Sequence, residues 1–385
     1  MTGTADRMRN IEPRRAGAYG AALPRTVALA LVVIAMLAAG GCTIGFPEGV
    51  VYPSITPGAG EPTLVTHEFT FEGAPVTVSL TVDGGLYSGA SAAVKTVTRF
   101  GNARENDWIE DYYPAFVNEK NQAPFIDDAL AAFRAVRDSR GLDQDRYAEL
   151  LTVFAQSLTY ETDPVDLSPK FPVETFVEGK GDCDDKTLLL AALLSREGYD
   201  VAILLFEPEE HVALGIRSAG DGYRGTGYDF VETTAPAFIG MVPDSFAGGI
   251  TLTSQPRVFG VDGGTVGYGA GGEVAAILES RRRAIELGRQ LAAEVETADA
   301  NLAELERQVA SARTTLDSLK SSGQVTEYNS RVDGYNALVD SYNRAAAERN
   351  ALAERYNALT QVDRLVIEGL DDRPGTYQRV MATMP

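Results

Sequence analysis

The sequence is poor in the side chains that do most protein chemistry: two cysteines, two histidines and one tryptophan among 385 residues. With so few imidazoles and thiols, a His/Cys metal site has little to draw on, and neither a metal nor a cofactor is expected. Positive charge is scarce as well, with 34 Lys and Arg against 54 Asp and Glu and a net charge of −20. A nucleic-acid partner needs a basic face, so this composition argues against one. The acids are spread along the chain rather than gathered in a tail, and they read as a solvated surface. A long apolar run is missing too: the one near the N-terminus is short of the about 20 residues that a membrane span wants.

That run, TVALALVVIAMLAAGGC, follows Arg14, Arg15 and Arg25 and has the anatomy of a signal peptide. It ends in Ala39-Gly40-Gly41-Cys42, and small residues directly before Cys resemble the lipobox of prokaryotic lipoproteins. The resemblance implies lipidation of Cys42, although alanine stands three residues earlier where leucine is usual. The other reading is an uncleaved signal anchor. Either way, segment 1–42 implies an extracytoplasmic protein tethered to the cell membrane. Residues 43–63, rich in Pro, Gly and Thr and without periodicity, are expected to be a flexible tether. If Cys42 is consumed by lipid, Cys183 has no intramolecular partner, and a lone thiol in an exported protein wants a chemical reason.

Residues 64–255 read as one domain of class α+β. LVTHEFTFE and VTVSLTV alternate, with Val65, His67, Phe69 and Phe71 on one face and Val76, Val78, Leu80 and Val82 on the other strand's matching face. They predict a β-hairpin around Gly73-Ala74-Pro75, with His67 in a structural role. Helical patterns run from about Ser88 to Tyr160, and one of them stops at Gly141. A helix capped by Asp182 and Gly198 follows, then strands in DVAILLFE, HVALGIR and GYDFVETT. A Gly-rich linker is expected over 256–272.

Residues 273–370 differ in composition. Leu291, Val295, Ala298, Leu302, Leu305, Val309, Ala312, Leu316 and Leu319 keep alternating 4-3 spacing, the seam of a coiled coil. KSSGQ turns the chain, and Asn329, Asn336, Asn343, Asn350 and Asn357 repeat on the way back, four of them preceded by Tyr. The expectation is an antiparallel coiled-coil helical hairpin, with 371–385 as a tail. The Tyr-Asn repeat reads first as seam packing with polar flanks. Its second reading is a strip that binds an envelope protein partner or a cell-wall polymer.

Cys183 opens a helix, where backbone N–H groups and the helix dipole stabilise a thiolate. Asp184 and Asp185 oppose that ionisation, so a nearby imidazolium is required. With His67 structural, the candidate is His211. A two-residue turn at Asp221-Gly222 would set His211 opposite Glu232 and turn Asp229 to the other face, opposite Leu214. Glu232 is therefore the expected orienting acid, and Cys, His and acid follow in the order of an activated cysteine nucleophile.

GDCDDKTLLLAALL, HVALGI and YDFVETT, with FAQSLTYETDP upstream, resemble the transglutaminase-like superfamily of papain-like cysteine enzymes over residues 148–243. The resemblance implies a core in which the Cys-bearing helix packs on an antiparallel sheet. It implies Cys183 as nucleophile, His211 as general base and Glu232 as the third member, with a thioester intermediate. It also implies an oxyanion hole from the Cys183 N–H and a second, upstream donor. Glu232 departs from the commoner Asp of the family, and Thr233-Thr234 from the frequent Asp-Pro-Thr. A peptidase or amidase acting on a protein or peptide substrate is the implied function. A protein-crosslinking acyltransferase and an inactive scaffold working through its coiled coil are the alternatives. A metal held by Cys183, His211 and an acid is weak with one histidine to offer.

Overall fold

A computed structural model describes residues 49–100, 108–162, 168–244, 246, 249–261 and 263–384. Cys42 and the segment expected to be a signal lie outside the described residues, among which no helix is long and apolar enough to cross a membrane. The chain divides into two units that part between Gly271 and Gly272. In the first, β1 (Gly49–Val51), β2 (Thr63–Phe71), β3 (Ala74–Val82), α1 (Gly84–Ala92) and β4 (Thr98–Phe100) lead into α2 (Ile109–Val117), α3 (Ala123–Arg140) and α4 (Gln144–Ser157). Then come β5 (Thr159–Tyr160), α5 (Pro172–Glu178), β6 (Lys180–Gly181), α6 (Cys183–Arg196), β7 (Val201–Phe206), β8 (His211–Arg217), β9 (Tyr228–Val231) and β10 (Arg257–Val261).

The alternating residues of β2 and β3 bury Val65, Phe69 and Phe71 together with Val76, Val78 and Val82. The turn between them is Glu72-Gly73, at φ 51° and 67°, the left-handed pair of a type I′ turn. It therefore comes earlier than Gly73-Ala74-Pro75, because Ala74 and Pro75 are already paired with Phe71 and Thr70.

Residues 183–194 of α6 are buried without exception. A helix apolar on nearly all sides has to sit inside, and α6 packs against α4, α5 and β8. Asp182 caps its start, and Gly198 (φ 87°) follows its end, where the Tyr199 N–H closes back on the Leu194 carbonyl at 3.0 Å. The antiparallel sheet runs β10-β7-β8-β9. Val201, Ile203, Leu205, Val212, Leu214, Ile216 and Val231 join the main core with α6. Leu204, Phe206, Ala213 and Phe230 belong to a second cluster with Phe246 and Leu252.

Three expected segment boundaries change. The segment 256–272 is not a linker: β10 pairs with β7, and Phe259, Val261 and Tyr268 are buried. Its glycines serve close approach, since a Cβ on Gly264 would lie 1.8 Å from the Tyr199 carbonyl oxygen. The tether 43–63 is fixed from Gly49 onward, because β1 pairs with β4 and the buried Ile55 accepts a 2.8 Å bond from Asn121 Nδ2. The tail 371–385 contains a helix, α9 (Arg373–Thr383), that packs on the preceding helix. Asp372 caps it with Pro374 in its first turn, and Val380 is buried.

The rest of the second unit is α7 (Gly271–Ser321) and α8 (Val325–Glu368), which run antiparallel on either side of Gly323 at φ 73°. Ion pairs Arg281–Asp363 and Arg349–Asp299, each 2.7 Å, cross between them. Every seam position from Leu291 to Leu319 is buried or half-buried, and every residue between them is exposed. On α8 the tyrosines of the repeat are half-buried and all five asparagines are exposed. That is the pattern of seam packing with polar flanks.

Gly264→Ala should lower stability by more than about 2 kcal/mol, whereas Gly260→Ala, with open space around it, should change it by no more than about 0.5 kcal/mol. Urea unfolding followed by fluorescence of Trp108, the single tryptophan, reads the first unit directly.

Candidate functional site

The site starts where β6 meets α6. Asp182 and Asp185 cap one another reciprocally: the Asp185 N–H donates to Asp182 Oδ1 at 3.4 Å, and the Asp182 N–H donates to Asp185 Oδ2 at 3.2 Å. The Lys170 N–H donates to Asp185 Oδ1 at 2.7 Å. Asp185 folds back because residue 181 is glycine; a Cβ there would lie 2.5 Å from Asp185 Cβ. Burial, then the neighbouring Asp182 charge, push the Asp185 carboxyl up to about 7 against the pull of Lys170. Asp185 is thus committed to the cap. Asp184 and Asp182 instead flank the thiol, with one carboxylate oxygen of each and Cys183 Sγ all within 4.8 Å of one another. Both charges oppose a thiolate. One thiol and two carboxylates are also a poor donor set for zinc, which favours nitrogen and sulfur.

His211 opens β8. The register differs from a two-residue turn by two positions: Leu214 faces Val231 and Ile216 faces Asp229, so His211 does not lie directly opposite Glu232. The chain turns through a wider loop instead of at Asp221-Gly222. Gly222, Arg224, Gly225 and Gly227 all have positive φ there, and the Ser218 N–H closes the loop on the Gly227 carbonyl at 3.0 Å. A shift of two leaves every side chain on its original face. Glu232 therefore still reaches His211, with Oε2 at 3.2 Å from Nε2. Asp229 stays on the other face and accepts from Ser218 Oγ at 2.8 Å.

Glu232 is fully buried and its oxygens are divided between two tasks. Oε2 meets the imidazole, while Oε1 accepts the Thr234 N–H at 2.7 Å and the Thr234 hydroxyl. The ring of Phe246 packs on the His211 ring at 4.7 Å between centroids. His211 is 5% exposed and Cys183 is 6% exposed, so both side chains are nearly covered.

Thr187, one turn after Cys183 on the same face of α6, shows where the helix meets the sheet. Its Oγ1 lies 3.4 Å from the Val212 carbonyl oxygen and 3.1 Å from Thr233 Oγ1. Those partners are the immediate neighbours of His211 and Glu232, at the end of the sheet where β8 begins and β9 has ended. Strand alternation turns Val212 toward the core that holds α6 and His211 toward the second cluster, where its ring meets Phe206 and Phe246. The expected His211–Glu232 pair is in contact, and Cys183 sits at the same end of the sheet.

His67 is structural: its Nε2 lies 2.8 Å from the Phe176 carbonyl oxygen, its ring meets Phe154 and Phe176 edge-on, and burial pushes its pKa down. The sequence reading missed Lys186 and Gln156. Lys186 is fully buried and donates to the carbonyls of Gln156 at 3.3 Å and Leu158 at 2.8 Å. Gln156 Nε2 donates to the carbonyls of Glu232 at 2.9 Å and Ala237 at 2.8 Å. A lone lysine just before TLLLAALL, inside a helix that must be buried, was the legible signal.

No family model, curated protein or solved structure matches this chain.

Asp185 makes stability depend on pH. Its folded pKa of about 7 lies above an ordinary carboxyl near 3.8, so the folded state prefers the proton. The stabilisation is complete below the ordinary value and is lost as pH rises through about 7. The urea midpoint of Asp185→Asn relative to the unsubstituted protein should therefore climb between about pH 4 and 7 and level off above it. A difference that is flat over that range would rule the linkage out.

Proposed function

We propose that this protein is a transglutaminase-like cysteine hydrolase that cleaves peptide or amide bonds outside the cytoplasm, held at the membrane by its N-terminal segment or by lipid on Cys42. The observation that carries the reading is the contact of buried His211 Nε2 with buried Glu232 Oε2, at the end of the sheet where the cysteine helix starts. Because Nε2 faces Glu232, Nδ1 is the nitrogen left for the thiol.

In this reading Cys183 Sγ gives its proton to His211 Nδ1 and attacks the substrate carbonyl carbon. Glu232 keeps the ring oriented and stabilises the imidazolium. The Cys183 N–H, in the first turn of α6, donates to the oxyanion in this reading. As the C–N bond breaks, His211 returns the proton to the leaving amine and a thioester remains on Sγ. Water then gives a proton to His211, attacks the thioester and releases the acid, and the thiolate recovers its proton. Asp182 and Asp184 set the condition for the first step: the thiolate forms only as an ion pair with the imidazolium.

The acids beside the thiol and the burial of both reacting groups favour a second reading, a scaffold whose helical hairpin binds an envelope partner.

Iodoacetamide labelling, followed by mass spectrometry of the Cys183 peptide, separates the two. On the catalytic reading Cys183 is alkylated well below the pH of about 8.5 at which an ordinary thiol ionises, and His211→Ala slows labelling by on the order of 100-fold. Equal, sluggish labelling of both proteins would sink the catalytic reading in favour of the scaffold. Asp184→Asn should speed labelling at pH 7 by roughly tenfold, the gain from removing one like charge beside the sulfur.

A further inference from the structure

The strongest unused feature of the core is a buried cation that faces the carbonyls at the end of one helix. Lys186 lies one turn from Cys183 on α6, yet its ammonium points toward α4, to the carbonyls of Gln156 and Leu158. These are carbonyls at a helix C-terminus, which lack intrahelical partners and carry the negative end of the helix dipole. The Gln156 side chain then spans to the segment after β9, holding the carbonyls of Glu232 and Ala237 at 2.9 and 2.8 Å. With both its N–H groups committed to those carbonyls, Gln156 acts as a brace for the backbone that bears Glu232.

Resting on the catalytic reading above, we propose that Lys186 and Gln156 are positioning residues that link the helix of Cys183, through the end of α4, to the backbone of Glu232. Every step of the link is a buried hydrogen bond, and three separate elements meet in it. The ammonium holds α4 against α6, and Gln156 then sets where Glu232 emerges. Thr234 completes the arrangement by fixing the second carboxylate oxygen. Charge adds to geometry, because Glu232 is the group that favours the ionised form of Lys186 against its burial.

The test uses the full chain and the His211-dependent labelling of Cys183. Gln156→Met and Lys186→Met keep side-chain volume and remove the donors. Both are expected to stay folded by circular dichroism and to lose about 10- to 100-fold in labelling rate at pH 6, with the profile moving toward that of an ordinary thiol. Gln122→Leu is the structural control, since Gln122 is likewise a buried amide, bonded to the Phe116 carbonyl and far along the chain from this link. Whatever its stability, it should leave the profile in place. If Lys186→Met does not fold, Gln156→Met decides alone. A Gln156→Met protein that labels like the unsubstituted one, while His211→Ala still slows labelling, overturns this inference and leaves the catalytic reading standing. If His211→Ala has no effect, both fall together.

Discussion

Burial of α6 on every side is the constraint on which the first unit depends. Leu188, Leu189, Leu190, Leu193 and Leu194 are all fully removed from solvent. At about 1.5–3 kcal/mol each, their burial contributes on the order of 10 kcal/mol. That term is large enough to offset the cost of drawing Asp182, Asp185 and Lys186 inside with the same helix. The sheet, α4 and α5 close around α6, and this closure brings the first turn of α6 to the end of β8.

A helix held this tightly can keep a reactive thiol in one place, but it also forces its polar residues to find partners. Each finds a different one. Asp185 turns back into the cap, where the backbone of Asp182 and Lys170 meets it. Lys186 reaches the carbonyls of α4. Thr187 joins the sheet at Val212 and Thr233. Asp184 remains beside the sulfur together with Asp182. Both carboxylates disfavour a negative charge on that sulfur. His211 meets Glu232 at the start of β8, with Phe246 as one wall.

The second unit follows a simpler rule. Its seam is set by spacing along the helices, and the ion pairs Arg281–Asp363 and Arg349–Asp299 fix how the two helices align. The tyrosines fill the half-buried seam of α8 and leave the asparagines as an exposed row.

The face that Glu232 shares with His211 came out right only because the loop shifts the register by an even number; periodicity and capping residues determined the β2–β3 faces, the caps of α6 and the seam of α7. These are local properties, set by alternation and by single capping residues. Composition misled at 43–63, at 256–272 and after residue 370, because glycine and proline mark close packing and helix starts as readily as they mark linkers. Only the tertiary structure decided the loop that displaced the β8–β9 register, since that needed four residues at positive φ working together. It alone decided which acid turns from the thiol into the cap, through the space left by Gly181. It also joined Lys186, Gln156 and Glu232, which lie far apart along the chain and meet because α6 has to be covered on every side.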